Sequence, residues 1–447
     1  MSSRVTRVDG PIAGWGRVAV DGTQLLGEDL HALTESVTLT RGLGRSYGDS
    51  SLPARAGDAV ANTTLADRII RFDPESGLLR AEAGLSLREM NRLFLPRGWF
   101  TPVTPGTAFV TLGGMVAADV HGKNHHSALT FGEYVSALRM RVADGSVVDC
   151  SPQQHADLFD ATIGGMGLTG HILEVELRMR RVPTAWIWQQ SERVPNIHVY
   201  LERLHATESE WPMSVGWIDC VSRGANMGRG ILSMGRWAEP DEAPAGVPGP
   251  KGALTLPDVF PSWSINPVTV RAFNFLYYWK HWQPRRTGIV HPGSFFYPLD
   301  AVLHWNRIYG SAGMTQYQCV LPKAAGADAP VRFLELLSRL GGASFLCVIK
   351  DCADQGRGLL SFPMPGVTIA VDVGITAGTQ ALVNELNAFV IDHGGRVYLA
   401  KDQFTRAEDF KKMEPRLERF QQVRAKWDPE LRIRSAQSVR LFGDPPE

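Results

Sequence analysis

Glycine-rich clusters at three places constrain this 447-residue chain more than any other feature of its sequence. The first is RGLGRSYGD at 41–49. The second joins PGT at 105–107 to TLGGMVAADVHGK at 111–123, and the third is GMGLTG at 165–170. Glycine accounts for 45 residues, about 10% of the chain against a usual ~7%. Because glycine allows positive φ and close approach of the backbone to other groups, three clusters in succession predict loops that surround a bound molecule.

The third cluster matches the dinucleotide-binding pattern G-x-G-x-x-G, with glycines at 165, 167 and 170. That pattern has its usual meaning only where it follows a strand and opens a helix. Here a helix-like stretch at 156–162 precedes it, and residues 171–180 alternate apolar with charged side chains, as a strand does. The sequence therefore excludes a Rossmann fingerprint at this position.

The first two clusters have the composition of ligand-binding turns. The first follows a strand-like segment at 37–39, and successive backbone N–H groups in such a turn can form a concave anion site. Gly42 and Gly44 allow the chain to approach a diphosphate closely. The second combines a rigid proline turn at Pro105 with small residues that leave space for a flat ligand.

The charge balance limits the partners that the chain can have. Its 46 Lys and Arg residues equal its 46 Asp and Glu residues, which argues against nucleic acid because phosphate binding usually requires a basic excess. Only nine of the basic residues are lysines, so a lysine within a motif is notable. The five cysteines are scattered without a C-x-x-C pair, so we predict neither a disulfide framework nor a zinc site.

The location of the protein is predicted from what its sequence does not contain. Residues 1–10 have no apolar core of a signal peptide, and the longest uncharged run, 98–118, is interrupted by two prolines and several glycines. We therefore expect no transmembrane helix. The expected location is cytoplasmic or peripheral at the inner membrane, with a periplasmic location left open.

Two domains are the simplest organisation for a chain of this length. Residues 36–180 alternate short strands, glycine turns and helical stretches near 86–95 and 153–162, which predicts a mixed α+β unit. Longer strands and helices follow, including a strand over 370–373, a helix over 379–393 and a strand-like run over 396–402. We predict a first, glycine-rich domain over 1–183, a second domain over 184–395 and a C-terminal segment over 396–447.

The motifs, taken in order, resemble a known family. RGLGRSYGD (41–49), TPGT with TLGGMVAADVHGKNHH (104–126), ADG (143–145) and ATIGGMGLTG (161–170) resemble the PCMH-type FAD-binding domain of the vanillyl-alcohol oxidase superfamily. Within that superfamily, HGKNHHS (121–127), LPDVFP (256–261), QYQ (316–318), LSFPMPG (360–366) and AKD (400–402) are similar to the oxidases of decaprenylphosphoryl-β-D-ribose. The resemblance covers nearly the whole chain.

This resemblance implies a fold and an activity. The fold is an α+β, two-domain flavoprotein. Its FAD-binding domain corresponds to 1–183, its substrate-binding domain, with an antiparallel sheet, to 184–395, and its C-terminal segment, which returns to the FAD domain, to 396–447. The activity is FAD-dependent oxidation of the C2′ hydroxyl of a polyprenyl-phosphate ribose to the 2′-keto sugar, with hydride passing to the flavin. This is the first half of an epimerisation that supplies arabinose for arabinan and cell wall biogenesis. A separate NAD(P)H-dependent short-chain keto-reductase completes the epimerisation.

A related FAD oxidase of a soluble sugar, alditol or nucleoside is the alternative, and a flavin-free binding protein is a third possibility.

The same resemblance assigns residues to the cofactor. We expect non-covalent FAD, since Arg45 occupies the place where many sugar and aldonolactone oxidases of the superfamily have the histidine that bonds to flavin. A guanidinium cannot make that bond, but it can pair with a phosphate. The residues expected to bind FAD are Arg41, Gly42, Leu43, Gly44, Arg45, Ser46, Tyr47, Gly48, Pro105, Gly106, Thr107, Thr111, Gly113, Gly114, Ala117, Ala118, Val120, His121, Gly167, Gly170, Ile172 and Tyr398.

Catalysis requires a base for the hydroxyl proton and positive charge near the reduced flavin. The expected catalytic residues are Lys401, His121 and Tyr47, and the sequence does not distinguish whether Lys401 is the base or the charge partner of the flavin. Lys123, Gln318, Lys350, Asp372 and Tyr297 are expected to contact substrate. His121 and His125 are four residues apart, but Gly122 disfavours a helix between them, so no metal is predicted.

Two further segments carry hypotheses. The aromatic stretch FNFLYYWKHWQPRR (273–286) favours a core helix, and its alternative is an amphipathic segment that contacts a membrane surface or a polyprenyl tail. Ala370 stands where mycobacterial members of the family carry the cysteine that nitroaromatic inhibitors modify. We therefore expect this protein to resist such labelling while remaining active.

Overall fold

The computed structural model describes residues 5–249 and 252–446, and its strands belong to five sheets. In chain order the strands are β1 Thr6–Ala13, β2 Ala19–Leu26, β3 Leu39–Arg41, β4 Ala59–Asn62, β5 Ile69–Phe72, β6 Leu78–Glu82, β7 Trp99–Phe100, β8 Val135–Arg141, β9 Val147–Cys150, β10 His171–Arg178, β11 Arg180–Arg181, β12 Ile187–Val194, β13 Met213–Ile218, β14 Gly230–Trp237, β15 Leu254–Thr255, β16 Arg285–Val290, β17 Val302–Leu303, β18 Met314–Pro322, β19 Cys347–Cys352, β20 Gly366–Gly374 and β21 Arg396–Val397.

The helices are short in the first third of the chain and longer after it. They are α1 Leu30–Leu33, α2 Leu87–Phe94, α3 Leu112–Ala117, α4 His125–Ala128, α5 Ala156–Thr162, α6 Ile197–Glu210, α7 Pro267–Lys280, α8 Pro292–Phe296, α9 Ala329–Arg339, α10 Thr379–Asp392, α11 Ala407–Met413, α12 Leu417–Trp427 and α13 Ala436–Phe442. No helix in 5–249 or 252–446 is long and apolar enough to cross a bilayer.

Two sheets form the first third of the chain. The mixed sheet has the order β1-β2-β4-β3, with β4 parallel to both of its neighbours, and the second sheet is antiparallel with the order β5-β6-β10-β8-β9. Alternate residues of β10, such as Val175 and Leu177, are fully buried with α2, α3 and α5 in one apolar core. As expected, the third glycine cluster lies between helix α5 and strand β10, which is not the setting of a dinucleotide fingerprint.

An eight-stranded antiparallel sheet dominates the rest of the molecule, in the order β16-β12-β14-β13-β19-β20-β18-β21. Helices α6, α9 and α10 cover one face, where they form a second core with side chains such as Tyr317, Ile349 and Ile369. Because side chains alternate along a strand, the neighbours of these residues point to the opposite face. That opposite face is free to line a cavity.

The C-terminal helices pack back on the first third. Phe420 and Leu441 share a core cluster with Leu168, and the fully buried Arg424 donates hydrogen bonds to the Leu168 carbonyl and to Asp444. Strand β21 pairs with β18, so the segment that begins at residue 396 also extends the large sheet. The domain boundaries at 183 and 395 stay predictions.

Candidate active site

A cavity of about 750 Å³ lies between the glycine-rich loops and the uncovered face of the large sheet. In six strands of the large sheet, two lining residues are separated by two positions, as the alternation of a strand requires. These pairs are Gln189 and Ser191, Val215 and Trp217, Ile231 and Ser233, Gln316 and Gln318, Val348 and Lys350, and Thr368 and Ala370.

The glycine loops form the other side of the cavity. All residues predicted to bind FAD lie in its wall except Gly48. A Cβ built on Gly48 would lie 1.9 Å from the Asp402 carbonyl oxygen, so this glycine is needed for close backbone packing behind the wall. Gly106 and Gly167, by contrast, have no heavy atom within 4 Å of such a Cβ. They border open space that a ligand can enter.

Arg45 shows that this space suits an anion. Its guanidinium lies 4.1 Å from the centre of the Trp15 ring and 4.9 Å from that of Phe109. Its buried Nε atom has no hydrogen-bond partner among the described residues. A buried donor without a partner is costly, and a bound phosphate oxygen would satisfy it. Together with the open glycines, Arg45 therefore fits the diphosphate of FAD.

Tyr47 and Lys401 form a cation–aromatic pair in the wall. The Lys401 ammonium lies 3.8 Å from the centre of the Tyr47 ring, and the Tyr47 N–H donates to the Ala400 carbonyl at 3.0 Å. Burial lowers the pKa of Lys401 to about 8, although the Asp372 carboxylate opposes this shift. Burial raises the pKa of Tyr47 well above its ordinary value. Lys401 can therefore exchange a proton near neutral pH, whereas Tyr47 stays protonated.

The backbone at Lys401 differs from the prediction. The strand predicted over 396–402 ends at Val397, and Lys401 lies in a turn. The Lys401 N–H donates to the Tyr398 carbonyl at 2.9 Å. The strand-like composition indicated the wrong structure for residues 398–402, because strand pairing with β18 covers Arg396 and Val397 and the chain turns after the Tyr398 N–H donates to the Gln318 carbonyl. The turn directs the chain back toward the first glycine loop.

His121 is held from several sides. Lys350 Nζ lies 2.7 Å from its Nδ1 atom and donates to the Gly122 carbonyl, and the Gln318 side-chain amide lies 3.2 Å from its Nε2 atom. Its ring packs on Phe362 and Tyr398. Burial and the Lys350 charge lower the pKa of His121 well below its ordinary value. The imidazole is therefore neutral, with Nδ1 occupied by the lysine.

Lys123 is a further buried cation of the wall. Its Nζ atom donates to the Phe296 carbonyl at 3.1 Å and lies 6.0 Å from the centre of the Phe295 ring. Burial lowers the pKa of Lys123 to about 8, and the charge of Lys350 acts in the same direction. Lys123, Lys350 and Lys401 thus bring scarce lysines from three distant parts of the chain to one cavity.

Two of the predicted substrate contacts lie outside the cavity wall. Asp372 is on the same sheet face as Ala370 but is fully buried behind the wall, where it accepts a hydrogen bond from Gln316. The Tyr297 hydroxyl lies 2.6 Å from Thr104 Oγ1 and accepts from Asn91 at 3.0 Å. The contacts of both residues to substrate stay predictions.

Several wall residues were missed by the sequence prediction. Gln316 shares its face with Gln318, so the two-residue period of QYQ could have identified it. Trp217, Thr368 and Asp300 also line the cavity, but each lies in a segment without a local motif. Trp217 and Thr368 are placed by strand pairing across the large sheet, and Asp300 lies in a turn before β17, where its carboxylate accepts a hydrogen bond from the Ala108 N–H. Local sequence does not specify these long-range contacts.

The histidine pair was also considered as a metal site. The ring centres of His121 and His125 lie 6.2 Å apart, and His125 Nδ1 accepts a hydrogen bond from the Ala353 N–H. In the described ranges no group of three or more His, Cys, Asp or Glu side chains is placed to hold a metal ion.

Comparison with known proteins identifies the class. The sequence profile of an FAD binding domain matches residues 34–151, which contain the first two glycine clusters. The prediction of an FAD-binding flavoprotein with an α+β fold is therefore confirmed.

The relatives define the family more closely. The chain is 35% identical to decaprenylphosphoryl-β-D-ribose oxidase of Mycolicibacterium smegmatis, over 96% of this chain and 97% of the relative. It is 32% identical to an uncharacterized protein of Streptomyces coelicolor, over 80% of this chain and all of that protein. A Δ(24)-sterol reductase of Rattus norvegicus matches only 25% of this chain, at 29% identity. The protein belongs to the decaprenylphosphoryl-β-D-ribose oxidase family, and its predicted assignment as an FAD-dependent oxidoreductase is confirmed.

Proposed function

We propose that the protein oxidises the C2′ hydroxyl of a polyprenyl-phosphate ribose, such as decaprenylphosphoryl-β-D-ribose, to the 2′-keto sugar. The observation that carries this proposal is the convergence of Lys401, Lys350, Lys123 and His121 in the cavity bordered by the glycine loops. Buried cations suit a phosphate-bearing substrate beside an anionic cofactor. The name of the Mycolicibacterium relative supports the substrate class.

Non-covalent FAD is part of this proposal. The residues that would hold it are those of the glycine loops, with Arg45 at the diphosphate. When bound, the flavin supplies the hydride acceptor. Release of all yellow colour from the polypeptide by acid precipitation is the expected result, and colour that stays with the polypeptide would contradict it.

Lys401 is the proposed base for the hydroxyl proton. Tyr47 retains its own proton, and Nδ1 of His121 is occupied by Lys350, so neither is available as an acceptor. Lys401 borders the cavity and has a pKa of about 8, which leaves a useful neutral fraction at pH 7. His121 and Gln318 orient the sugar, and Lys123 and Lys350 attract the phosphate. Once it has accepted the proton, Lys401 presents positive charge to the cavity.

The product determines the next step. A 2′-keto sugar must be reduced on the opposite face to yield the arabinose epimer, which requires a separate hydride donor. An NAD(P)H-dependent short-chain keto-reductase is the proposed partner, and arabinan synthesis for the cell wall is the proposed use.

Contact with a membrane surface is proposed for helix α7. The preferred prediction of a core helix is wrong, since Leu276 and Trp279 on α7 and Trp282 after it are 67%, 47% and 74% exposed. Exposed basic residues accompany them, namely Arg271, Lys280, Arg285 and Arg286. An apolar surface bordered by cations matches a bilayer with anionic headgroups, where a polyprenyl substrate resides.

An anaerobic titration tests the substrate. Purified holoenzyme is mixed with a lipid-linked ribose phosphate, with free ribose and with an alditol, and loss of the oxidised flavin absorbance is followed. Bleaching by the lipid-linked donor at far lower concentration is expected. Equal bleaching by a soluble sugar would favour the alternative oxidase, and a purified protein that takes up no FAD would favour a binding function.

A further inference from the structure

Helix α13 reaches back to the first glycine loop through one side chain. The Arg440 guanidinium donates to both carboxylate oxygens of Asp49, each at 2.8 Å, across 391 positions of sequence. The same guanidinium lies 2.9 Å from an Asp402 carboxylate oxygen and donates to the Thr405 carbonyl at 2.5 Å. One half-buried arginine therefore joins two chain segments that are distant in sequence.

These two segments carry the cation–aromatic pair. Asp49 follows Tyr47 by two residues, and Asp402 directly follows Lys401. Between them the backbones are in contact, because Tyr47 donates to Ala400 and Gly48 leaves no room for a side chain against Asp402. Gln437, also on α13, donates to the Leu399 carbonyl at 2.8 Å. Apart from the Tyr47–Ala400 hydrogen bond, these contacts act on residues near the pair in sequence that do not line the cavity.

The charges at this junction would otherwise oppose the proposed chemistry. Asp49 and Asp402 are two carboxylates on the chain segments that carry Tyr47 and Lys401, and their side chains are only 15% and 5% exposed. Without Arg440 they would repel each other and push the loops apart. Unpaired, they would also favour the charged form of the lysine.

We propose that Arg440 is a positioning residue of the active site, which holds Tyr47 and Lys401 together by clamping Asp49 and Asp402. This inference rests on the proposed role of Lys401. Helix α13 thereby acts in the reaction from behind the cavity wall, by positioning residues that line it.

The first test needs no substrate. The chain contains nine lysines, so holoenzyme labelled with 13Cε-lysine gives few signals, and the K401R variant assigns that of Lys401. Lys401 faces Tyr47, Asp372 and His121, and none of these is changed in the variants. In R440Q we expect the titration midpoint of Lys401 to rise by about one pH unit, as water and the freed carboxylates favour its charged form. R440K, which keeps the charge but loses the fork geometry, should give an intermediate shift.

The second test is the single-turnover rate of flavin reduction by the lipid-linked ribose at pH 7. For R440Q we expect a roughly 10- to 100-fold fall, with substrate affinity within about twofold and partial rescue in R440K. R432Q is the matched control, since Arg432 forms an exposed pair with Glu430 on the same segment, and it should match wild type in both tests.

The results distinguish a failure of this proposal from a failure of the proposed function. If no ribose reduces wild-type flavin, the proposed substrate fails, and the Lys401 titration still reports on Arg440. If R440Q does not fold, R440M combined with D49N and D402N removes the three charges together. A folded variant with FAD bound, a changed melting temperature and an unchanged Lys401 midpoint and rate would overturn the proposal.

Discussion

Two walls of the same cavity are built in opposite ways. The cation wall, formed by Tyr47, Lys401 and the turn around them, is cross-linked by segments that are hundreds of residues apart. The α7 wall, formed by Phe273, Tyr277 and the following residue His281, comes from one helix and its C-terminal end, and the outer face of this helix is exposed and apolar. The two walls therefore suit different tasks. Proton transfer needs fixed distances, whereas entry of a lipid needs an accessible apolar surface.

The α7 wall shows how one helix can serve two environments. Its cavity residues are spaced by four, which places them on one side of the helix. Leu276 and Trp279 lie on other sides and face solvent. A lipid-linked sugar resting on the outer face would thus be one helix thickness from the cavity.

Removal of the Lys401 amine should have the largest effect. In K401M the hydroxyl proton loses its acceptor, so we expect flavin reduction to slow by about 10²- to 10⁴-fold while FAD remains bound. Stopped-flow reduction with the lipid-linked ribose measures it. K411M, which alters an exposed lysine on α11, should behave as wild type. Normal turnover in K401M would remove this residue from the mechanism.

The α7 wall is tested by removing its outer side chains. The triple variant L276A/W279A/W282A should bind anionic vesicles roughly 100-fold more weakly, because three large apolar side chains, each only partly buried at a bilayer surface, lose part of the roughly 1.5–3 kcal/mol that full burial of each would contribute. Tyr278 is kept, since it is buried and its loss would disturb packing. Flotation with phosphatidylglycerol vesicles measures the binding.

The control for this variant is L65A/I70A, which removes exposed apolar residues elsewhere on the surface. It should float as wild type does. Reduction of the flavin by a short-chain ribose phosphate should be unchanged in the triple variant. Equal flotation of all three proteins would mean that the outer face of α7 does not contact the bilayer.

The pH dependence distinguishes the two roles open to Lys401. If Lys401 is the base, its neutral form is active, so the reduction rate rises with pH through about 8 and then levels off. The Asp372 carboxylate favours the charged form, so D372N should move this rise to lower pH by about one unit. D392N, at an exposed position, is the control. A rate that falls through pH 8 would instead make Lys401 a charge partner of the flavin.

The smallest effect is expected at Ala370. This side chain lines the cavity, so A370C should place a thiol there while turnover stays within about twofold. The five native cysteines are buried, so a thiol reagent should label native A370C and leave native wild type unlabelled. Peptide mass spectrometry locates the adduct, and wild-type labelling in this peptide would contradict the prediction.

The sequence predicted the glycine loops and the motif lysines well because these features are local. The loops required close backbone approach, and they indeed border the cavity. The strand over 370–373 and the helix over 379–393 were also predicted, since long periodic segments indicate their own structure.

The features that sequence missed depend on distant partners. Residues 398–402 have the composition of a strand, but after the Tyr398 N–H donates to the Gln318 carbonyl of β18 the chain turns, and the Lys401 and Asp402 N–H groups donate to the Tyr398 carbonyl. The aromatic residues of α7 suggest a core, but the fold buries Tyr278 and leaves Phe275 and Trp279 exposed. Arg440 carries no local signal, because its role depends on a hydrogen bond to Asp49, which is near the other end of the chain.

The ion pair between Asp49 and Arg440 also has a consequence for biosynthesis. At roughly 5–20 residues per second, a ribosome needs about 20 to 80 s to add the 391 residues that separate them. During that interval the first glycine loop has been made, but its partner on α13 has not. Stable capture of the cofactor is therefore expected only late in synthesis, when the nascent chain has extended past residue 440.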